Sequence, residues 1–305
     1  MARSPLFVRK TPGGIFHIDN TAMTLGEIHY VNTGAAGKGT TSAYGKSPDS
    51  PFSTIASCVD SGNLASADMV LIASGHTETV SAAAGIDADT AGVHFRGLGV
   101  SDLRPTVTLD TANTADIDID AADITFENMR FVANFLDIAG AIDVNADGFT
   151  LKNCECVDTS TILNALIWVL GATSGTSDRI SVLGCEIYDS GAANTHAISL
   201  PGTSNRCRIH DNIIMGFHET GSIEAAGAVT NISILRNFIQ NTDTDADACI
   251  KLAASSTGIV AYNSVGAALA ADATTNINCS TGVVLIENYS VDTGDRQGIL
   301  DPVAT

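Results

Sequence analysis

The chain has 305 residues, 45% hydrophobic and 5% aromatic, enough for one large domain whose core rests on small and β-branched side chains. Asp and Glu outnumber Lys and Arg 34 to 15, for a formal charge of -19. That balance argues against a nucleic-acid partner, because phosphate neutralisation needs clustered Lys and Arg.

In chain order, the opening MARSPLFVRKTPGG carries basic residues but no apolar segment of the secretory kind. Residues 1–29 read as an unpatterned arm that would attach the protein to a larger body, and residues 30–305 as one domain. Within SPFSTIASCV, Ser50 can cap a short helix, Pro51 suits its first position, and Ile55, Cys58 and Val59 share a face. DMVLIASG (Asp68 to Gly75), VHFRGLGV (Val93 to Val100) and TVTL (Thr106 to Leu109) then read as strands.

From Ile117 onward one unit is written seven times. Its ruler is an Asn after an apolar run, at Asn128, Asn153, Asn212, Asn237, Asn263 and Asn288, with Gly184 in the remaining unit. Successive marks lie 25 to 31 residues apart. A second series, at Ile117, Ile142, Ile167, Ile198, Ile223, Ile250 and Ile277, keeps nearly the same period. Both alternate apolar and polar residues, the signature of strands with one buried face. A propeller blade needs about 40 to 45 residues and four strands. About 25 residues per unit fit one coil of an all-β parallel β-helix solenoid. Asn and Gly tolerate the left-handed conformation of a tight corner, and stacked Asn side chains can bond along the stack, so these six Asn are expected to form a corner ladder. The stretches Gly171 to Asp178 and Ser190 to His196 lengthen two coils and should form loops on one side.

Little in the chain spells out chemistry. The seven Cys show no C-x-x-C spacing, so no zinc site is expected, and no other metal or cofactor is implied. Three glycosylation-type triplets, at Asn231, Asn278 and Asn288, read as chance. The run TDTDADAC (Thr242 to Cys249) alternates Asp but has Ala248 and Ala254 where a calcium loop needs Gly and Glu. GAAGKGTT (Gly34 to Thr41) lacks Ser or Thr after its Lys, so it is not a phosphate loop. The longest apolar run, Ala165 to Ala172, is too short to span a bilayer. Asp118 and Asp143 are the outward residues of successive strands, and neighbouring coils lie about 4.8 Å apart. They form the best carboxylate pair for binding or cleaving a glycan, which takes two carboxylates about 5 to 9.5 Å apart. Trp168, by alternation, should point outward. Leu183 and Leu235 fall in an outward slot that holds Glu127, Lys152 and His210 in other coils. These three apolar residues are interface candidates.

The stretches YVN (Tyr30 to Asn32), GKSPDSPFSTI (Gly45 to Ile55) and ADMVLIASGHTET (Ala67 to Thr79), together with the coils, resemble pectate-lyase-like parallel β-helix proteins. The resemblance implies a right-handed helix with a short N-terminal capping helix. It also implies one of two functions. The first is a non-enzymatic virion structural protein of a tailed phage, such as a capsid decoration or head- or tail-associated protein. It would be made in the host cytoplasm, would trimerise, and would bind other virion proteins. The second is a tailspike-like protein that binds or degrades a host surface polysaccharide. Enzymes of this kind with a polygalacturonase-like site would carry N-T-D, a paired Asp, His-Gly and R-x-K. Here NTD occurs at Asn241 to Asp243 and none of the rest follows.

Overall fold

In-register stacking of short strands builds the molecule. In one coil, Thr125–Glu127 lies in a first sheet, Arg130–Ala133 in a second and Ile142–Val144 in a third. The next coil repeats them 25 residues on: Thr125 pairs with Thr150, Arg130 with Glu155, and Ile117 with Ile142, all parallel. The computed structural model describes residues 26–173, 177–191, 194–243, 248–267 and 276–290. It adds the backbone of strands Phe7–Arg9, Phe16–Ile18 and Gly298–Ile299. Among these residues the sheets have ten, ten and eight strands, an all-β parallel solenoid of about eight turns with almost no helix. Most of the expected arm, residues 1–29, lies outside the described residues, as do Asp245 and Asp247; strands Phe7–Arg9 and Phe16–Ile18 pair antiparallel.

The core is a set of columns running along the solenoid. The first sheet points Phe95, Phe126, Leu151, Val182, Ile209, Ile234 and Val260 inward, all buried. The third sheet stacks Ile117, Ile142, Val169, Ile198, Ile223 and Ile250. Each such side chain contributes about 1.5–3 kcal/mol when fully buried. Phe95 stacks on Phe126 with centroids 4.8 Å apart, and Phe131 and Phe149 meet Phe126 edge-on.

The short helix covers Ile55–Val59. Its N-cap is Thr54, not Ser50: the Thr54 side chain accepts from Ser57 N, and Ser57 returns the bond in a capping box. Pro51 therefore lies outside the helix. The Glu78 carboxylate accepts from Ile55 N (2.6 Å) and Ala56 N (3.0 Å). Ile55, Cys58 and Val59 face the core as expected.

The recurring Asn does two jobs. Between the first and second sheets each coil turns through one residue of positive φ. Asn128 (58°), Asn153 (52°) and Gly184 (63°) hold that position, followed by Asp211 (60°), Arg236 (56°), Tyr262 (59°) and Glu287 (43°). The later Asn sit one residue further on and point inward. Asn212 Nδ2 donates to Asn237 Oδ1, Asn237 Nδ2 to Asn263 Oδ1, and Asn263 Nδ2 to Asn288 Oδ1, each at 2.9 Å. In earlier coils this inward slot holds Met129, Cys154 and Cys185, and Cys185 N donates to Asn212 Oδ1. The single ladder expected from sequence is thus corrected. Asn128 and Asn153 turn corners, while Asn212, Asn237, Asn263 and Asn288 form the ladder.

Separate costs follow. Asn237→Gly should cost about 3 kcal/mol, because it strips partners from buried Asn212 and Asn263. Asn153→Gly should change stability by less than about 1 kcal/mol, since Gly suits a left-handed corner. Urea unfolding of the two variants measures both; equal costs would contradict the division of roles.

Candidate functional site

The outward face of the third sheet carries one continuous column. In register order it reads Asp87, Asp118, Asp143, Leu170, Ser199, Glu224, Lys251 and Asn278. The strands therefore bring Asp118 and Asp143 directly side by side, as their spacing predicts. Asp118 is half-buried, and burial pushes its carboxyl up to about 7, with Asp116, Asp143, Asp120 and Asp87 adding repulsion. Burial also raises Asp143, Asp116 and Asp87. Among the described residues no ion pair includes Asp87, Asp118 or Asp143, and no cluster of three His, Cys, Asp or Glu could hold a metal ion. At the other end of the face, Glu224 pairs with His196 Nε2 (2.9 Å) and Lys251 Nζ (3.2 Å).

Trp168 does not point outward. It is fully buried. The register partner of Ile142 is Val169, not Ile167, so alternation breaks and Trp168 and Val169 both turn inward. The 27-residue step from Ile142 to Val169 is the signal; the 25-residue step to Ile167 hides it. Trp168 is therefore withdrawn as an interface residue. Leu183 and Leu235 do share the outward slot of Glu127, Lys152 and His210, and both are half-buried.

The buried Trp168 indole donates to Asp189 Oδ1. Asp189 closes the second-sheet column Val80, Leu109, Ala133, Asp158, Asp189, Gly216 and Asn241, in which carboxylates replace apolar side chains. Its other oxygen lies 2.6 Å from His218 Nε2, and His218 Nδ1 lies 3.0 Å from Ser222 Oγ. A carboxylate only accepts, so Nε2 carries the proton and Nδ1 takes the Ser222 hydroxyl. Ser222 and His218 have no exposed surface, so this Ser–His–Asp chain is a scaffold rather than a nucleophile. Asp158 accepts from Ala165 N (3.1 Å), Ser190 N (3.3 Å) and Asn194 Nδ2 (3.1 Å). Burial, then Asp189, raises its carboxyl to about 7. The two Asp end the strands Glu155–Asp158 and Glu186–Asp189, and a cleft of about 320 Å³ opens beside them, walled by Val157, Tyr188 and Met215. That shared Asp ending, in ECVD and EIYD, is the sequence signal that could have marked them.

With this geometry in view, the fold is that of pectate-lyase-like parallel β-helix proteins. It matches a rhamnogalacturonan lyase (TM-score 0.61, 12% identity, 89% of this chain and 75% of that one). It matches pectate lyase Pel9A (0.58, 12%, 87% and 69%) and a GH136 lacto-N-biosidase from Eubacterium ramulus (0.60, 12%, 90% and 57%). At such identity the likeness is one of fold. No protein-family model matches the chain, and no curated protein matches it.

Trp168→Phe keeps a ring but removes the donor to Asp189, and should cost about 1–3 kcal/mol in urea unfolding. Wild-type emission from the single Trp should be blue-shifted and move red on unfolding; emission already that of free Trp in the native state would contradict its burial. For Asp118 the folded carboxyl sits above its ordinary 3.8, so the native state holds the proton more tightly. Its stabilising effect is full below about pH 4 and is lost as pH rises through about 7. Asp118→Asn should match wild type near pH 4 and be the more stable at about pH 8. After allowance for solvent screening the gap is on the order of 1 kcal/mol. Thermal melts at the two pH values decide it.

Proposed function

We propose that the chain engages and cleaves a neutral polysaccharide on the outward face of its third sheet, with Asp118 and Asp143 as the working carboxylates. The observation that carries this reading is their in-register placement, with Asp118 holding its proton to about pH 7. A carboxylic acid beside a carboxylate supplies the two roles glycoside hydrolysis needs. Asp118 protonates the leaving glycosidic oxygen, and Asp143 faces the developing positive charge at the anomeric carbon. Strand spacing of about 4.8 Å favours the closer, retaining geometry over the wider one that leaves room for water. Repulsion from the acidic column and a formal charge of -19 disfavour polyuronates and favour uncharged chains. The three fold relatives, by their names, cleave glycans. On this reading the coil is right-handed, and the helix Ile55–Val59, which touches strands Ile28–Val31 and Ile86–Asp87, covers the N-terminal end.

Incubation with a panel of neutral polysaccharides, assayed for new reducing ends, tests it. Activity should fall above about pH 7 as Asp118 ionises, and Asp118→Asn or Asp143→Asn should lower kcat by about 10²–10⁴. Turnover that survives both substitutions, or no turnover on any glycan by the folded protein, would overturn it.

A second reading is favoured by one observation: Ile213, Met215 and Phe238 lie exposed and adjacent on the second sheet. Such a patch on an acidic protein fits a non-enzymatic virion protein of a tailed phage, held by residues 1–29 and by other virion proteins, and trimeric through this patch with Leu183 or Leu235. Light scattering should then give a trimer mass that Phe238→Asp lowers; a monomer at micromolar concentration rules the trimer out.

A further inference from the structure

Two stacked carboxylates in an inward column are costly, since both lose hydration and each repels the other. This fold spends unusual parts on keeping them. Asp189 takes the one Trp and a fully buried His218, itself held by Ser222. Asp158 takes two backbone donors and Asn194, from the turns that follow the two strands. Gly216, the next residue in the column, leaves room for Asp189, because a Cβ there would come within 2.3 Å of its carbonyl oxygen and 2.5 Å of its Cβ. A carboxylate has about four acceptor positions, so each Asp keeps capacity beyond these bonds. Both border the cleft of about 320 Å³, with Val157, Tyr188 and Met215 as its wall and Thr242 at its rim.

That lining selects a ligand. The volume is at the low end of the roughly 300–1,000 Å³ of small-molecule sites, which suits a single ring. One side is an aromatic ring beside aliphatic carbon and sulfur, which suits a C–H face. The other side offers carboxyl oxygens, which suit hydroxyl donors, and no cation lines the cleft to welcome an anion. We propose that the cleft binds one neutral sugar residue, stacked on Tyr188 and hydrogen-bonded to Asp158 and Asp189. It lies at the end of the second sheet rather than on the Asp118–Asp143 face, and binding here requires no cleavage there.

The test is calorimetric titration of the folded full chain with galactose, glucose, rhamnose, N-acetylglucosamine, glucosamine and galacturonate, with Trp168 emission as a second reporter through its bond to Asp189. At least one neutral sugar should bind saturably with a Kd in the millimolar range, and galacturonate should not. Tyr188→Ala and, separately, Met215→Lys should each weaken that binding at least about tenfold, while Asp118→Asn leaves it unchanged. Saturable binding by no neutral sugar, or binding indifferent to both cleft variants, overturns the proposal. A preference for glucosamine over every neutral sugar overturns it in favour of an amine site. Loss of binding in Asp118→Asn alone would move the site to the third-sheet face.

Discussion

Every feature of this molecule depends on in-register parallel stacking, in which each residue sits on its counterpart one coil earlier. The arrangement multiplies whatever a position holds. Ile on Ile or Phe on Phe compounds burial along the axis, as in the column from Ile117 to Ile250. Asp on Asp compounds repulsion, and Asp118 between Asp87 and Asp143 is raised for that reason as well as by burial. Titration behaviour here comes from stacking before it comes from any special local design.

The same rule makes the interior acids informative. At the end of the second sheet, the column that holds Val80 and Leu109 in early coils passes to Asp158 and Asp189. Around them stand the indole, an imidazole, an amide and three backbone or hydroxyl groups, nearly all buried. A solenoid built from apolar columns has no stability reason to place carboxylates there. By contrast, the outward acids from Asp87 to Asp143 cost less to keep, because water still reaches them.

Sequence discloses most of the fold because register and period are the same information. Once Ile117 and Ile142 are seen 25 residues apart, their pairing follows. The corner was half legible. Asn128 and Asn153 mark it, but after Gly184 the left-handed position passes to Asp211, Arg236, Tyr262 and Glu287, and the Asn next to each draws the eye one residue too far. A second left-handed corner, at Gly92, Asp123, Gly148, Arg179, Arg206 and Asn231, leaves no sequence mark, since four residue types fill it. The Asp118–Asp143 pair was legible because outward alternation is regular there. Trp168 was not, because the break in alternation that turns it inward sits inside its own strand.

The ladder from Asn212 to Asn288 has one more consequence. Each Asn gives its amide hydrogens to the next carboxamide and to a carbonyl of the preceding coil, and its backbone N also donates to the next carboxamide. Every rung thus presents the same sockets above and below, with one polarity from end to end. Coils bearing such rungs are interchangeable parts: one could be copied or excised, and the ends left behind would still match. The coils that hold Cys154 and Cys185 in the same slot lack those sockets. In this chain, growth or shortening by whole coils is therefore chemically easy only in its C-terminal half, where the rungs stand.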